Sequence, residues 1–193
     1  MKLNPTLSKT LALVAPVTLL TISTTFGASD FYMKIDDIKG ESTDVKHKDW
    51  IELDSFSWGM SNSSLAGSGS GTGMGTGKVS MQDMHFSMKM NKASPRLMLA
   101  CATGQHIPKL QFVVSRADSD TGGTTDYYVV TLTDVLVSSF KTSSAPQPPA
   151  GTPQVPETAS LSLNFTKIQW TYIAQDNETI TVEHDTTLAQ PPN

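Results

Sequence analysis

The chain has 193 residues, a formal net charge of −4 and a single cysteine, Cys101. This length predicts one domain whose core is large enough to fold without crosslinks, and one cysteine excludes both an internal disulfide and a metal cluster built from cysteines. The acidic balance argues against a nucleic-acid-binding surface, and the sequence has no polybasic run that would bind a membrane.

The first 28 residues have the order of a secretory signal peptide. Lys2 and Lys9 precede an apolar stretch at 11–22, and small residues follow at 27–29. The apolar stretch is too short to span a bilayer, so we expect no stable membrane insertion. Residues 1–28 are interpreted as a cleaved signal peptide, with an unstructured leader or a wrongly assigned start codon as the alternatives. The folded domain is expected over 29–175, and a C-terminal strand with a disordered tail over 176–193.

Alternating apolar and polar residues predict β-strands from the start of the domain. Segment 31–35 predicts a strand with one buried face. Segments 50–60, 79–90 and 161–172 also alternate, but in each the apolar residues change from odd to even positions. Such a slip moves the side chains to the other face, and its usual cause is a β-bulge, expected near Asp54-Ser55 in the first segment. Three strongly bent strands predict a small β-barrel of two antiparallel sheets.

One short α-helix is predicted to begin at Ser94 and to end at Gly104. Ser94 is a typical N-cap, the proline after it fits the first helical position, and Gly104 fits the C-terminal stop. The i, i+3/i+4 spacing places Leu97, Met98 and Cys101 on one face, which we expect to be buried. Cys101 is interpreted as a small buried hydrophobe rather than as a reactive thiol.

The rest of the chain predicts a hairpin, a linker and a short strand. Segments 109–116 and 125–140 flank a loop that contains two glycines, which predicts a hairpin. The proline-rich segment 141–158 predicts an extended, solvated connection. Residues 178–184 predict a terminal strand. The fold class is therefore mainly β with one short helix.

Glycine occupies every second position in the segment GSGSGTGMGTG, residues 67–77. No two of these glycines are five residues apart, whereas a phosphate-binding loop needs that spacing. The segment lies in an 18-residue stretch between two strands, and so long a connection in a compact domain is functional or disordered. Glycine alternating with small residues lets the backbone lie close to another surface. We interpret the stretch as an arm that contacts a neighbouring molecule, with these candidate residues: Ser61, Leu65, Gly67, Gly69, Gly71, Gly73, Met74, Gly75, Gly77 and Lys78.

The sequence contains no catalytic or metal-binding signature. It has neither the G-x-S-x-G motif of hydrolases nor the H-E-x-x-H motif of zinc proteases. Its four histidines are scattered, and His85, between two apolar residues, is interpreted as a surface-facing strand residue rather than as a general base. We therefore expect a protein that is not an enzyme and that holds no cofactor and no metal.

Six segments resemble, in order and spacing, the Hcp (haemolysin-coregulated protein) family of bacterial type VI secretion systems: FYMKIDDIKGES, SFSWGMS, GKVSMQDMHFS, SPRLMLACATGQHIP, VVTLTDVLVSSF and LSLNFTKIQWTY. The resemblance extends over residues 31–172. It implies a small β-barrel with one helix at its side, and a homohexameric ring that stacks into the inner tube of the secretion machine. The partners it implies are further copies of the chain, the spike and sheath proteins, and small effector proteins carried in the lumen.

The resemblance also implies roles for two regions of the chain. The long loop that contacts neighbouring subunits or the next ring in this family corresponds to residues 61–78. The segment that leads into the prolines, 138–144, is expected near the lumen, with the candidate residues Ser138, Ser139, Lys141 and Ser143. Family members are secreted through the machine from the cytoplasm, whereas a cleaved leader would direct this chain to the periplasm. The alternative function is therefore an exported periplasmic or surface β-domain that acts as a binding or adhesion module.

Overall fold

The computed structural model describes residues 29–63, 78–117, 124–144 and 157–187. The leader, the glycines at 67–77, the proline-rich segment at 145–156 and the predicted tail from residue 188 lie outside the described residues. The described elements are, in order, β1 (Ser29–Ile35), β2 (Ile51–Leu53), β3 (Ser55–Ser57), β4 (Met60–Ser63), β5 (Lys78–Met81), β6 (Met84–Lys89), α1 (Ser94–Thr103), β7 (His106–Ala117), β8 (Thr124–Ser143), β9 (Thr158–Ile173) and β10 (Thr179–Asp185).

An eight-stranded antiparallel sheet forms the body of the protein and curls into a barrel. Its order is β2-β1-β7-β8-β9-β6-β3, and β10 pairs with β9 beyond the part of β9 that pairs with β6. The two ends of this order, β2 and β3, are separated in sequence by Asp54 alone. The backbone N–H of Asp54 donates to the carbonyl oxygen of Ser87 in β6 at 2.8 Å. The chain therefore joins the two ends of the sheet, and the predicted barrel is confirmed.

Two of the predicted phase changes mark places where the chain changes its pairing partner. Ile51 and Leu53 are buried in β2 against β1, whereas Phe56 in β3 pairs with Phe86 of β6. A break at Asp54 separates the two strands, where the sequence predicted a bulge within one strand. A break at residues 82–83 likewise separates β5 from β6, which belong to different sheets.

The third phase change, in β9, has a different cause. Leu132 of β8 faces Ile168 of β9, Val135 faces Phe165, and all four side chains are buried. Both strands have two residues between these buried positions, so the pairing register does not shift there. Asp134 takes a left-handed conformation at this point, with φ 51°. The bulge predicted for β9 is therefore wrong, because β8 and β9 change phase together.

The helix α1 packs against β8 and ends as predicted. Gly104 terminates it in the left-handed conformation, with φ 65°. The N-cap, however, is Ala93, and Ser94 is the first helical residue. The Ser94 hydroxyl accepts a hydrogen bond from the backbone N–H of Asn91 at 3.1 Å, outside the helix, so it stabilises the preceding turn instead of capping α1.

The buried face of α1 is narrower than the sequence predicted. Leu97 and Ala100 are buried, whereas Met98 is 47% exposed. Cys101 is half-buried and carries a free thiol. Met98 lies about 100° around the helix from Leu97, so a small contact surface leaves it in solvent. The placement of Met98 on the buried face is therefore wrong.

His47 attaches the loop between β1 and β2 to the barrel. Its ring is 1% exposed and stacks on Tyr32, with the ring centroids 4.2 Å apart, while Trp50 contacts it edge-on. His47 Nδ1 lies 2.7 Å from Asp44 Oδ1, and Nε2 lies 3.2 Å from Asp126 Oδ1 in β8. Because both ring nitrogens have a partner, the imidazole is buried without an unsatisfied polar atom.

Asp44 is the loop residue that orients His47. Burial alone would raise the pKa of the Asp44 carboxyl, but hydrogen bonds from the backbone N–H and ring of His47 and from the backbone N–H of Lys46 outweigh that effect. The pKa of Asp44 is therefore lowered from its ordinary value.

We expect Asp44→Asn to lower the free energy of unfolding by about 1–2 kcal/mol at neutral pH, because a neutral amide is a weaker acceptor than a carboxylate. The folded-state pKa of Asp44 is depressed, so this contribution is present above the unfolded-state pKa of about 4 and is lost as pH falls through the folded-state value. Urea unfolding at neutral pH and in acid measures the difference. Asp36→Asn removes the same charge from an exposed position and is the control. A difference that persists or widens in acid would contradict this assignment.

Gly40 lies where the same loop passes against the beginning of β2. A Cβ at Gly40 would stand 2.1 Å from the carbonyl oxygen of Trp50 and 2.5 Å from the Cα of Ile51. Since backbone atoms cannot rotate away, we expect Gly40→Ala to lower the free energy of unfolding by about 2–3 kcal/mol. At Gly59 an added Cβ would meet only the Gln82 side chain, at 3.2 Å, so Gly59→Ala is the matched control. Equal losses for the two variants in urea unfolding are incompatible with a backbone clash at Gly40.

Candidate functional site

The predicted arm begins as a separate two-stranded sheet, β4–β5. Met60 pairs with Met81, Ser61 with Ser80, and Ser63 with Lys78, in antiparallel register. Ser61 and Lys78, expected at the ends of a loop, are thus strand residues, and the connection itself comprises residues 64–77. The other candidate residues of the arm, which are Leu65, Met74 and the six glycines, lie outside the described residues.

A contact between two tryptophan rings and a backbone hydrogen bond attach the root of the arm to the barrel. The ring centroids of Trp58 and Trp170 are 5.4 Å apart, and Trp58 packs against the core. The backbone N–H of Gln82 donates to the carbonyl oxygen of Gly59 at 3.1 Å. Among the described residues the indole N–H of Trp58 has no hydrogen-bond partner. The arm therefore leaves the barrel from a fixed position, while Met60 at its start is 53% exposed.

A second feature is a polar surface on the outer side of strands β3, β6, β9 and β8, here called the hydroxyl face. In β6, Met84, Phe86 and Met88 are buried, so the residues between them point outward. Pairing across the sheet gives three outward rows: His85 with Ser162 and Ser139, Ser87 with Ser160 and Lys141, and Lys89 with Thr158 and Ser143. Ser55 pairs with Ser87 and extends the middle row.

Side-chain hydrogen bonds connect neighbouring strands across the hydroxyl face. Ser55 Oγ and Ser87 Oγ are 2.7 Å apart, and His85 Nδ1 lies 2.8 Å from Ser162 Oγ. At the end nearer the proline-rich segment, Ser143 Oγ lies 2.9 Å from the Thr158 hydroxyl. Each hydroxyl both donates and accepts, so the face remains able to bind water or a passing polypeptide.

A β-bulge in β8 places Ser138 on this face. The register shifts between Val137, which is buried opposite Leu163, and Ser139. The extra residue, Ser138, is exposed and donates its hydroxyl hydrogen to Asp83 at 2.5 Å. Asn164 donates to the other carboxylate oxygen at 2.9 Å. Hydrogen bonds from Ser138 and then from Asn164 lower the pKa of Asp83, which therefore stays ionised at the edge of the face.

The structure brings together all four residues that the sequence placed near the lumen. Ser138, Ser139, Lys141 and Ser143 lie along β8 on the hydroxyl face. Sequence reasoning missed their neighbours on the other strands. In β6 and β9 the polar residues alternate with buried apolar residues, and this pattern in the sequence could have identified them. The missed residues are Ser55, Ser87, Lys89, Thr158, Ser160, Ser162 and Asn164.

A metal site needs several ligating side chains in a suitable geometry. No group of three or more histidine, cysteine or acidic side chains among the described residues is arranged to hold a metal ion. His85 is exposed, as predicted, and its ring contacts Ser162 on the neighbouring strand β9. Within the described part of the chain, no helix has the length and apolar character needed to cross a membrane.

Comparisons with known proteins agree with this architecture. A family model described as "Type VI secretion system effector, Hcp" matches residues 32–172. Protein hcp1 of Pseudomonas aeruginosa is 36% identical over 148 residues, which are 77% of this chain and 85% of the relative. The crystal structure of Hcp1 from Salmonella typhimurium matches with a TM-score of 0.66 and 31% identity, covering 82% of this chain and 95% of that one. A type VI secretion system effector from Yersinia pestis matches with a TM-score of 0.63 and 28% identity, covering 81% and 99%.

The match includes the second half of β1, the root of the arm, the helix and most of β9. The chain belongs to the Hcp family and is a β-barrel tube protein of the type VI secretion system.

Proposed function

We propose that six copies of this chain close into a ring and that the rings stack into the inner tube of a type VI secretion machine, with effector proteins inside. The observation that carries the proposal is family membership over residues 32–172, together with a barrel that carries the two-stranded root of an arm and a hydroxyl face. A closed ring requires head-to-tail contacts between unlike surfaces, and stacking requires a further contact surface. The partners are the same chain, the spike and sheath proteins, and the effectors.

Exposed apolar side chains beside the arm support contact with a neighbouring copy. Ile180 and Val182 of β10 are 52% and 54% exposed, although they pair with Tyr172 and Trp170 of β9. Tyr172 is itself 44% exposed. These residues are on the core-facing side of the sheet, at its uncovered end, and contiguous exposed apolar surface is typical of protein interfaces.

The hydroxyl face is suited to line the lumen of such a ring. A conduit has to accept polypeptides without holding them by large apolar contacts, because buried apolar area is the main source of tight association. The outward positions of β6 and β9 carry serine, threonine, asparagine, histidine and lysine. Structural and transport work of this kind needs no catalytic group, and we expect no enzymatic activity from the chain.

The chain is proposed to leave the cell through the secretion machine itself. If residues 1–28 were removed as a signal peptide, the chain would instead enter the periplasm. N-terminal sequencing of the protein from the culture fluid distinguishes the two routes, since only the second route leaves an N-terminus near residue 29.

We expect deletion of residues 67–77 to leave the barrel folded and the ring closed but to prevent stacking, because the arm has its own two-stranded root and no strand of the barrel is removed. Electron microscopy of the purified full-length chain and of the deletion variant compares tubes with single rings. Size-exclusion chromatography shows whether the ring remains, at six times the chain mass.

The matched control shortens the other long connection. Ser143 and Thr158 already pair across β8 and β9, so residues 145–156 can be replaced by a short Asn-Gly turn. This variant is expected to stack normally. Normal tubes from the chain that lacks 67–77 would exclude the arm from stacking, and a single-copy mass for the unaltered chain would exclude the ring.

A further inference from the structure

The hydroxyl face carries positive charge on a protein that is acidic overall. Lys89 and Lys141 are both exposed on it, and the net charge of the chain is −4. Among the described residues neither lysine is in an ion pair, whereas Lys39, Lys92 and Lys167 each contact a carboxylate. The lysines of the hydroxyl face are therefore available to an external carboxylate.

Acidic groups border the face, but among the described residues none of them forms an ion pair with Lys89 or Lys141. Asp83 lies at its edge, and both carboxylate oxygens accept hydrogen bonds, from Ser138 and Asn164. Asp30, Glu41, Glu52 and Asp54 line the same cavity as Lys89, but none of them is in an ion pair with it. The cavity, of about 460 Å³, lies at the border of the face rather than within it.

The spacing of the two lysines suits an extended chain. Lys141 lies in the middle row with Ser160 and Ser87, and Lys89 lies in the next row with Thr158. Adjacent strands are about 4.8 Å apart and alternate residues along a strand about 6.7 Å apart. Serine and threonine hydroxyls thus lie between the two ammonium groups. These hydroxyls can donate hydrogen bonds to carboxylates of a bound chain that lie between the two lysines.

We propose that the hydroxyl face selects acidic polypeptide segments, so that effectors or their tails with exposed Asp and Glu are the preferred cargo. This inference rests on the proposed ring, which would place about twelve lysines around one lumen. One exposed ion pair is weak, but many sites around one enclosed space act together on a single cargo chain. The weak individual contacts also allow release when the cargo leaves the ring.

Acidic polypeptide fits this face better than nucleic acid does. Proteins that bind single strands combine basic groups with aromatic side chains on which bases stack. The outward residues of β6 and β9 within the face include no aromatic side chain except the His85 ring, which is already bonded to Ser162. Arginine, the usual partner of phosphate, is also missing from these described positions.

The test measures binding of three labelled probes to the purified full-length chain by fluorescence anisotropy, at about 50 mM and 500 mM salt. The probes are a peptide of alternating Glu and Gly, a peptide of alternating Lys and Gly, and an oligothymidine of similar length. The variants are K89Q/K141Q and K89E/K141E. The control, K48Q/K109Q, removes the same charge from exposed lysines outside the face.

We expect the Glu peptide to bind the unaltered ring more tightly than the other two probes, and the binding to weaken in high salt. K89Q/K141Q should weaken it by about fivefold or more, K48Q/K109Q should change it less than about twofold, and K89E/K141E should reverse the preference toward the Lys peptide. A reversed preference shows that the charge at these two positions determines binding, because a loss of structure would weaken the binding of both peptides.

Sedimentation velocity on every sample shows whether rings form, and so tests ring formation separately from the selection of acidic segments by the hydroxyl face. If rings form but the Glu peptide is not preferred, or if K89Q/K141Q binds it unchanged, selection by this face is wrong and the ring stands. Tighter binding of the oligothymidine would overturn the choice of polypeptide cargo. If the unaltered chain sediments as a single copy, the proposed function fails, and the inference built on it fails too.

Discussion

The structure depends on one short crossing, where the chain passes from β2 to β3 at Asp54. Leu53 is buried against β1, and two residues later Ser55 pairs with Ser87 of β6 at the opposite end of the sheet. The hydrogen bond from Asp54 to Ser87 continues the ladder across the junction. Because the ends of the sheet are covalently joined there, the barrel has one interior and one exterior. This separation is what allows the outer surface to be polar while Phe112, Leu161 and similar residues fill the core.

The closed barrel explains why two such different surfaces coexist on a small protein. Aromatic packing inside the barrel stabilises the junction between β2 and β3. The rings that contact one another there are Phe31, Phe56, Phe86 and Phe112. On the outside, strands β3, β6, β9 and β8 present the hydroxyl face. Exposed apolar side chains lie elsewhere, with Met60 at the root of the arm and Tyr172, Ile180 and Val182 at the open end of β9–β10. Because alternate residues of a strand point to opposite faces of the sheet, the hydroxyl face and the exposed side chains of β9–β10 lie on opposite sides of it.

Local chemistry determined which features the sequence could predict. The β7–β8 hairpin, the strand β1 and the helix stop at Gly104 depend on alternation or on a conformation that glycine favours, and each is found in the structure. The break at Asp54 was predicted as a bulge, because residues 50–60 alone cannot show that the second half pairs with a different strand. In β9 the change of phase is matched by β8, and a single-strand pattern cannot distinguish a matched change from a bulge.

The contacts that sequence reasoning missed are those that join distant residues. His47 is fully buried, and its ring reaches Asp126, which lies 79 positions further along the chain. Ser138 and Lys141 were placed near the lumen by resemblance to the family, but the neighbouring Ser87 and Ser160 follow only from the pairing of β6, β9 and β8. The strands and the helix could thus be predicted from the sequence. The hydroxyl face could not, because predicting it requires knowledge of the pairing register between strands.

The orientation of the barrel within the assembly is the central claim, and a cryo-electron-microscopy map of the full-length chain tests it most directly. A six-membered ring with Ser87, Ser160 and Lys141 facing the lumen, and with the arm in contact with the adjacent ring, is the predicted result. A ring that turns those residues to its outer surface, or particles that contain only one copy, would contradict the account.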